Sequence, residues 1–273
     1  MRMRQRIEYV TLRMARRFLF TEGMANRLAN WLPYYAPSEN ERHPERIAAT
    51  YSAALAKIDL ALTGRRVLEV GAGRTNAVGY ELVAGGAQTV VMLEPFVDFD
   101  AVRDEAVRKE NPLLAAIDPA AVTRATRFVD VPPASIQLLL SNSVLEHVSD
   151  PATFFTDCLR ALAPEGVMLH VVDYRDHFFK YPYAFLTFSK KTWQRWLNPG
   201  DLERWRIYDH VDAMRAAGFD TSILQQESAP GEFAKIRNQL DPGFLPTREG
   251  LDVSRAILVA QKSAGATQPG CAV

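Results

Sequence analysis

The run Val67-Leu68-Glu69-Val70-Gly71-Ala72-Gly73-Arg74-Thr75-Asn76 constrains the fold more than any other stretch of the chain. A short apolar run carrying an acid and entering a glycine turn reads as a strand followed by a nucleotide-binding loop. Gly71 and Gly73 can take backbone angles closed to other residues and let the main chain approach a ligand, and the segment from about Asn76 to Ala84 reads as a helix. Glycine turns also serve as plain connectors, so the turn needs support from the residues beyond it. Gly85-Gly86-Ala87 closes the helix, and Thr89 to Leu93 form a second apolar run that ends in Glu94-Pro95. An acid about 20 positions beyond the turn, at the carboxyl end of the second strand, is placed to accept hydrogen bonds from ribose hydroxyls. The plainer alternative is a solvated strand-end carboxylate.

The same alternation continues. Strands are expected at about Arg66 to Val70, Thr89 to Leu93, Thr126 to Val129, Ile136 to Ser141 and Gly166 to Val172, mostly separated by helical segments. Ahead of them, Ile47, Tyr51, Leu55, Ile58 and Leu62 recur at helical spacing, which predicts a helix over Glu45 to Leu62 packed on the sheet. The pattern predicts an α/β, doubly wound, mostly parallel sheet of the Rossmann-like kind.

Val67 to Thr75, Glu94 and the run Leu139-Leu140-Ser141-Asn142-Ser143-Val144-Leu145-Glu146-His147-Val148 together resemble class I S-adenosylmethionine-dependent methyltransferases. The third block is the most specific, continuing through Asp150-Pro151, a helix to about Leu162, and Ala163-Pro164-Glu165-Gly166 before another apolar strand. The likeness is strong from Thr63 to Asp173 and holds in outline to Lys262. It implies a seven-stranded sheet, closed by strands at about Asp220 to Gln226 and Val253 to Gln261, the last antiparallel. It also implies S-adenosylmethionine as cofactor, with Glu69, Gly71 and Gly73 around its methionine portion and Glu94 on its ribose. Ser143 and His147 then lie near the sulfonium or the substrate mouth. The chain departs from the family pattern at Thr75, which stands where a third glycine is common and whose hydroxyl can cap the following helix, and at Gln137, where an acid often opens the fourth strand. The Thr126 to Ala134 segment is short for an adenine-covering loop, which leaves Asp130 as a weak adenine contact.

With 273 residues, 48% apolar content and no net charge, the chain has no global basic field to attract nucleic acid. Two cysteines, Cys158 and Cys271, make neither a disulfide framework nor a metal pattern, and Cys158 reads as a small core residue. With no spanning apolar run and no secretory signal, a cytoplasmic location is expected. Residues 1–43 form a basic helical extension in which Arg2, Arg4, Arg6, Arg13, Arg16 and Arg17 interleave with Met14, Phe18, Leu19 and Phe20. Packing on the main domain with arginines facing water is the favoured reading, since Trp31, Tyr34 and Tyr35 follow. Weak contact with an anionic membrane surface is the alternative. The catalytic domain is expected over residues 44–262, with a disordered tail over 263–273.

After the fifth strand come Asp173-Tyr174-Arg175-Asp176-His177, on the side where open parallel sheets bind ligands. A hydroxyl acceptor must lose its proton. His177, oriented by Asp173 or Asp176, suits that task, and His147 is the competing base. His170, inside the strand, reads as a core histidine satisfied by a neighbour. Asp173, Asp176 and His177 could ligate a divalent ion, but no second ligand cluster accompanies them and no metal is expected. Residues 174–210 are dense in aromatics, from Tyr174 through Phe178, Phe179, Tyr183, Phe185 and Trp193 to Tyr208. They read as a lid walling an acceptor pocket, with Arg204 and Arg206 fixing polar groups. A small core of their own, or a homodimer contact, is the alternative.

The expected activity is methyl transfer to a small molecule, first to a hydroxyl of a sugar, polysaccharide precursor or secondary metabolite. An amine acceptor, a nicotinamide-dependent oxidoreductase and a non-catalytic scaffold module are the competing readings. The oxidoreductase is disfavoured because Asn76 breaks the glycine fingerprint.

Overall fold

The computed structural model describes residues 1, 3–19, 43–177, 180–198, 200, 202–244 and 249–264. Among them are β1 (Arg66–Val70), β2 (Thr89–Leu93), β3 (Val122–Ala125), β4 (Ile136–Asn142), β5 (Leu162–Asp173), β6 (Phe219–Ser228) and β7 (Val253–Lys262). They form one sheet in the order β3-β2-β1-β4-β5-β7-β6, as expected for a doubly wound sheet of seven strands. Pairing is parallel from β3 to β5, and β7 runs antiparallel to both its neighbours.

The central strands are apolar on both sides because helices cover both faces. Val67, Leu138, Leu140 and Leu169 point toward Tyr51 and Leu55 of α2 and Val78 and Leu82 of α3. Here α1 is Met3–Leu19, α2 is Pro44–Ala56 and α3 is Ala77–Ala84. Leu68, Val70, Leu139 and Met168 point the other way, toward Phe155 and Cys158 of α5 and Val211 and Met214 of α6. α4 is Ala101–Glu110, α5 is Pro151–Ala161 and α6 is Ile207–Ala216. Cys158 is thus the buried core residue its sequence position suggests. α5 starts where Asp150 and Pro151 announce it, the Asp150 carboxylate accepting from Thr153 N at 3.2 Å. Gln137, in place of the family's acid, accepts from the Arg66 main-chain N–H at 3.0 Å and pins β1 to β4.

Three boundaries differ from expectation. The helix expected over Glu45 to Leu62 ends at Ala56, and the chain turns at Asp59 with a left-handed φ of +56°. The third strand lies at Val122–Ala125 rather than Thr126 to Val129. Asp118 caps a Pro119–Ala121 turn that launches the strand four residues early, and Phe128–Asp130 is itself a turn closed by an Arg127–Asp130 ion pair. The fifth strand starts at Leu162. Its Pro164-Glu165-Gly166 stretch is absorbed as a register shift, Ile136 pairing with Leu162 and Leu138 with Val167.

A third core explains the aromatic segment. Tyr183, Phe185, Leu186, Phe188, Trp193 and Leu197 bury themselves against Tyr9 of α1 and Ile236 of the β6–β7 connection. The segment therefore makes its own core, as the alternative reading has it, and Phe188 and Leu197 also line a cavity beside Val10 and Met14 of α1. α1 does pack on the domain, but its arginines do not all face water: Arg13 is 1% exposed and ion-paired with Asp176. Phe20, Trp31, Tyr34, Tyr35, Phe178, Phe179, Cys271 and residues 265–273 lie outside the described residues, as do Arg2 and the rest of 20–42 in the expected extension. No helix among the described residues is long and apolar enough to cross a membrane.

Arg204 and Arg206 serve the fold rather than an acceptor. Arg204 donates to the Phe185 and Phe188 carbonyls. Arg206, fully buried, donates to the carbonyls of Tyr174 (2.6 Å), Leu251 (2.9 Å) and Val253 (2.6 Å), joining the end of β5 to the start of β7. Replacing it strands three buried carbonyls, so Arg206→Met should lower unfolding free energy by about 3 kcal/mol or more, measured as a fall in the urea midpoint at unchanged slope.

Candidate active site

The sheet order reverses beside β1, where connections leave β1 and β4 in opposite directions and open a crevice at their carboxyl ends. The glycine loop lines it. Gly71 and Gly73 have φ of +88° and +66°, and a Cβ on Gly71 would sit 2.5 Å from Val144 Cγ2. The turn after β4 therefore closes directly on the loop, and glycine is required at 71 for space as well as for dihedral angle. Arg124 of β3 clamps the loop from the other side, donating to the Gly73 carbonyl and, at 3.0 Å, to Asn76 Oδ1.

Glu94 ends β2 with both carboxylate oxygens aimed by main-chain donors, Gly73 N at 2.9 Å and Phe96 N at 3.0 Å. Each oxygen retains a second lone pair for a ligand hydroxyl. Glu69 lies beneath the loop at 0% exposure. Its Oε1 accepts from Tyr51 of α2 at 3.4 Å, while Oε2 is buried with no hydrogen-bond partner among the described residues. Burial raises its pKa to about 8; the Tyr51 hydrogen bond and Arg124 favour the anion, and Glu94 opposes it. Thr75 is buried but does not head the helix, since α3 takes Asn76 as its N-cap and Asp104 receives the Asn76 N–H at 2.5 Å. The expected Thr75 cap is displaced because the loop runs one residue further. Asp130 stands on the surface, held by Arg127 at 2.7 Å, which lowers its pKa.

On the acceptor side, Ser143 follows β4 with φ +54°, an uncommon angle for a residue with a side chain, and its N–H donates to Val171 O at 2.8 Å. The next turn, Leu145–His147, carries His147 to the surface. Because β4 and β5 pair in parallel, the loop after β5 emerges beside it, and the His147 and His177 rings meet with centroids 4.9 Å apart. The two competing bases of the sequence are thus neighbours.

The acids expected to orient His177 go elsewhere. Asp173 is held by Arg175 Nε at 2.9 Å and Nη2 at 2.6 Å. Asp176 is fully buried and accepts from Tyr9 and Arg13 of α1. Their alternation with Arg175 and Tyr174 sends successive side chains in different directions. His170 is the core histidine expected: it shares a 2.7 Å hydrogen bond with Ser141, and burial lowers its pKa to about 3.

Glu146 has no role marked in the sequence, yet it lies in the same turn at 2% exposure with neither carboxyl oxygen hydrogen-bonded among the described residues. Burial raises its pKa to about 8, and Asp173 adds to this; the nearby amides of Glu146 and Asp173 and the charge of Arg255 work against it. Sequence reasoning misses Arg124 and the Tyr51 hydroxyl too. Tyr51 sits on the apolar stripe of its helix with nothing to mark its hydroxyl, and Arg124 belongs to the third strand, which the sequence pattern misplaces.

A 3-2-1-4-5-7-6 sheet with one antiparallel strand and an acid-flanked glycine loop at the end of β1 defines the class I S-adenosylmethionine-dependent methyltransferase fold. A family model described as a methyltransferase domain matches residues 23–221, and the chain belongs to that family. Over 106 residues it is 34% identical to a probable S-adenosylmethionine-dependent methyltransferase of Mycolicibacterium smegmatis, a match covering 39% of this chain and 37% of that protein. The chain thus aligns with little more than a third of this relative's length. In structure it is similar to phosphoethanolamine N-methyltransferase 2 of Haemonchus contortus in complex with phosphomonomethylethanolamine and S-adenosylhomocysteine, with TM-score 0.55, 16% identity and coverage of 92% of this chain and 60% of that one. The [4+2]-cyclase SpnF is similar at TM-score 0.52 and 17% identity, over 81% of each chain.

The buried Glu69 carboxyl gives a test independent of turnover. Its folded pKa of about 8 exceeds the ordinary 4.5, so the native state holds the proton more tightly and stability falls as pH rises between those values. Glu69→Gln keeps an acceptor for Tyr51 without the charge. Its melting temperature relative to the parent should rise from pH 5 to pH 8 and level off above, in scanning calorimetry across that range.

Proposed function

We propose that this chain methylates a hydroxyl of a small-molecule acceptor, a sugar, polysaccharide precursor or secondary metabolite, with S-adenosylmethionine as methyl donor. The observation that carries the reading is the convergence of His147 and His177 beside a loop built to hold a nucleoside. When bound, S-adenosylmethionine supplies an electrophilic methyl group on a sulfonium.

The residues fit that cofactor. Glu69 Oε2, without a hydrogen-bond partner among the described residues, calls for a donor, which an amino acid ammonium supplies, and Glu94 is aimed for vicinal hydroxyls. Gly71, Gly73 and Thr75 form the wall between them, and Ser143 stands at the mouth. An acceptor hydroxyl must be positioned and must give up its proton. An imidazole with an ordinary pKa of about 6.5 takes that proton at neutral pH, and a second imidazole beside it can pass it to solvent. The aromatic core behind the loop after β5 fixes where His177 stands, because Asp176, its neighbour in sequence, is locked to α1.

Calorimetric titration with S-adenosylmethionine should give micromolar binding, and NAD should give none. Glu94→Ala should weaken cofactor binding at least about tenfold, the scale of lost hydrogen bonds to a charged group. His147→Ala and His177→Ala should leave cofactor affinity within about twofold and lower turnover of a responsive glycoside about 10²-fold or more, the range for general base removal. Unchanged turnover in both histidine variants would remove the base assignment, and amine acceptors alone responding would replace the hydroxyl reading.

A further inference from the structure

The turn after β4 and the loop after β5 bring three metal-ligating side chains together. One ligand atom from each of Glu146, His147 and His177 lies within 4.8 Å of the other two. Two features separate this cluster from a chance meeting of surface side chains. The first is Glu146 itself, 98% buried, with only the main-chain amides of Glu146 and Asp173 near its carboxyl and neither oxygen in a well-formed hydrogen bond among the described residues. A buried carboxyl left so is costly unless something else satisfies it. The second is that the imidazoles adjoin it from the solvent side: His147 is exposed and His177 half-buried, their rings 4.9 Å apart. A buried carboxyl and two more exposed imidazoles thus come together where the turn after β4 meets the loop after β5.

We propose that Glu146, His147 and His177 bind a first-row divalent transition metal ion, zinc being the representative, with at least one coordination position left open. The donor set decides the ion. Two imidazole nitrogens and one carboxylate oxygen suit zinc and its borderline neighbours, whereas magnesium and calcium prefer oxygen throughout. Three protein ligands with an open position is the arrangement of hydrolytic zinc sites. Bonds of about 2.0–2.2 Å place ligand atoms about 3–3.5 Å apart, so the imidazoles must swing inward. Side-chain rotation near the surface supplies this without moving the strands that carry the turns. The catalytic use of the ion, though not its binding, rests on the methyl-transfer reading: with both imidazoles coordinated neither would act as the base, and the ion would take over that role, an acceptor hydroxyl in the open position losing its proton to solvent more readily. The site departs from the metal-free expectation and from the Asp173, Asp176 and His177 set, whose two acids are committed to Arg175 and to α1.

The test uses the full chain, stripped with chelator and dialysed, then titrated with zinc sulfate against a chromophoric chelator. One equivalent should bind at micromolar affinity or tighter, and cobalt(II) should give the visible absorption of a four- or five-coordinate nitrogen and oxygen site. His147→Ala with His177→Ala should weaken zinc binding at least tenfold, as should Glu146→Gln, whereas His43→Ala should leave it unchanged. The histidine variants keep the test valid should a change at buried Glu146 unfold the chain. No stoichiometric binding, or binding lost in His43→Ala and retained in the double variant, overturns the site. S-adenosylmethionine binding in parallel separates the two readings. Cofactor binding and histidine-dependent turnover without zinc defeats the metal and spares methyl transfer; zinc binding without cofactor binding does the reverse.

Discussion

The site depends on one constraint, that β1 pairs in parallel with β2 on one side and β4 on the other. A parallel neighbour is reached only through a crossover, and crossovers of one hand starting in opposite directions must cover opposite faces. The sheet therefore parts at the carboxyl ends of β1 and β4, and no main chain fills the gap. Gly71 and Val144 meet across its floor with no room for a Cβ. The residues proposed to face a ligand, Glu69, Glu94, Ser143 and His147, owe their places to where three strands end rather than to any contact among themselves.

That crevice is bordered by two acids placed where acids are expensive. Glu69 and Glu146 are each buried with at least one oxygen unpartnered among the described residues, and burial raises both toward neutrality. An amide or an apolar residue would suit the fold alone better at either position. Local rules broken without compensation inside the protein are a mark of sites completed by something outside it. Glu69 lies by the glycine loop and Glu146 by the imidazole pair, so the two carboxyls left unpartnered among the described residues fall at the two places where the methyl donor and its acceptor are proposed to bind.

The motif-bearing half of this arrangement is legible in the sequence. Gly71, Gly73 and Glu94 are read from a strand, turn, helix, strand pattern spanning some thirty residues, and Asp150-Pro151 marks its helix by a capping rule that acts over three positions. Ser143 and His147 are singled out by the family resemblance that the Leu139 to Val148 run carries. What is not legible depends on side chains meeting over long separations. Asp173 and Asp176 closely precede a histidine in sequence, but one turns to Arg175 and the other to Arg13, 163 residues away. The aromatic segment reads as a pocket wall because its density is visible in sequence while its partners are not: Tyr9 and Ile236 come from either end of the chain. Arg206 likewise resembles an acceptor-binding cation until three carbonyls from distant loops are seen around it.

The amino-terminal helix then acquires a meaning that its composition conceals. An arginine-rich amphipathic segment suggests a surface for water or lipid, but a guanidinium buried on Asp176 is a commitment to one place on the domain. Removing either partner would leave the other charged and buried, which costs more than a surface pair could return. The pair therefore fixes position more than it adds stability. The position it fixes is that of the loop after β5, one residue before His177. α1 reaches the loop after β5 through this contact, and the geometry of the imidazole pair depends on a helix that no motif in the glycine-loop half announces.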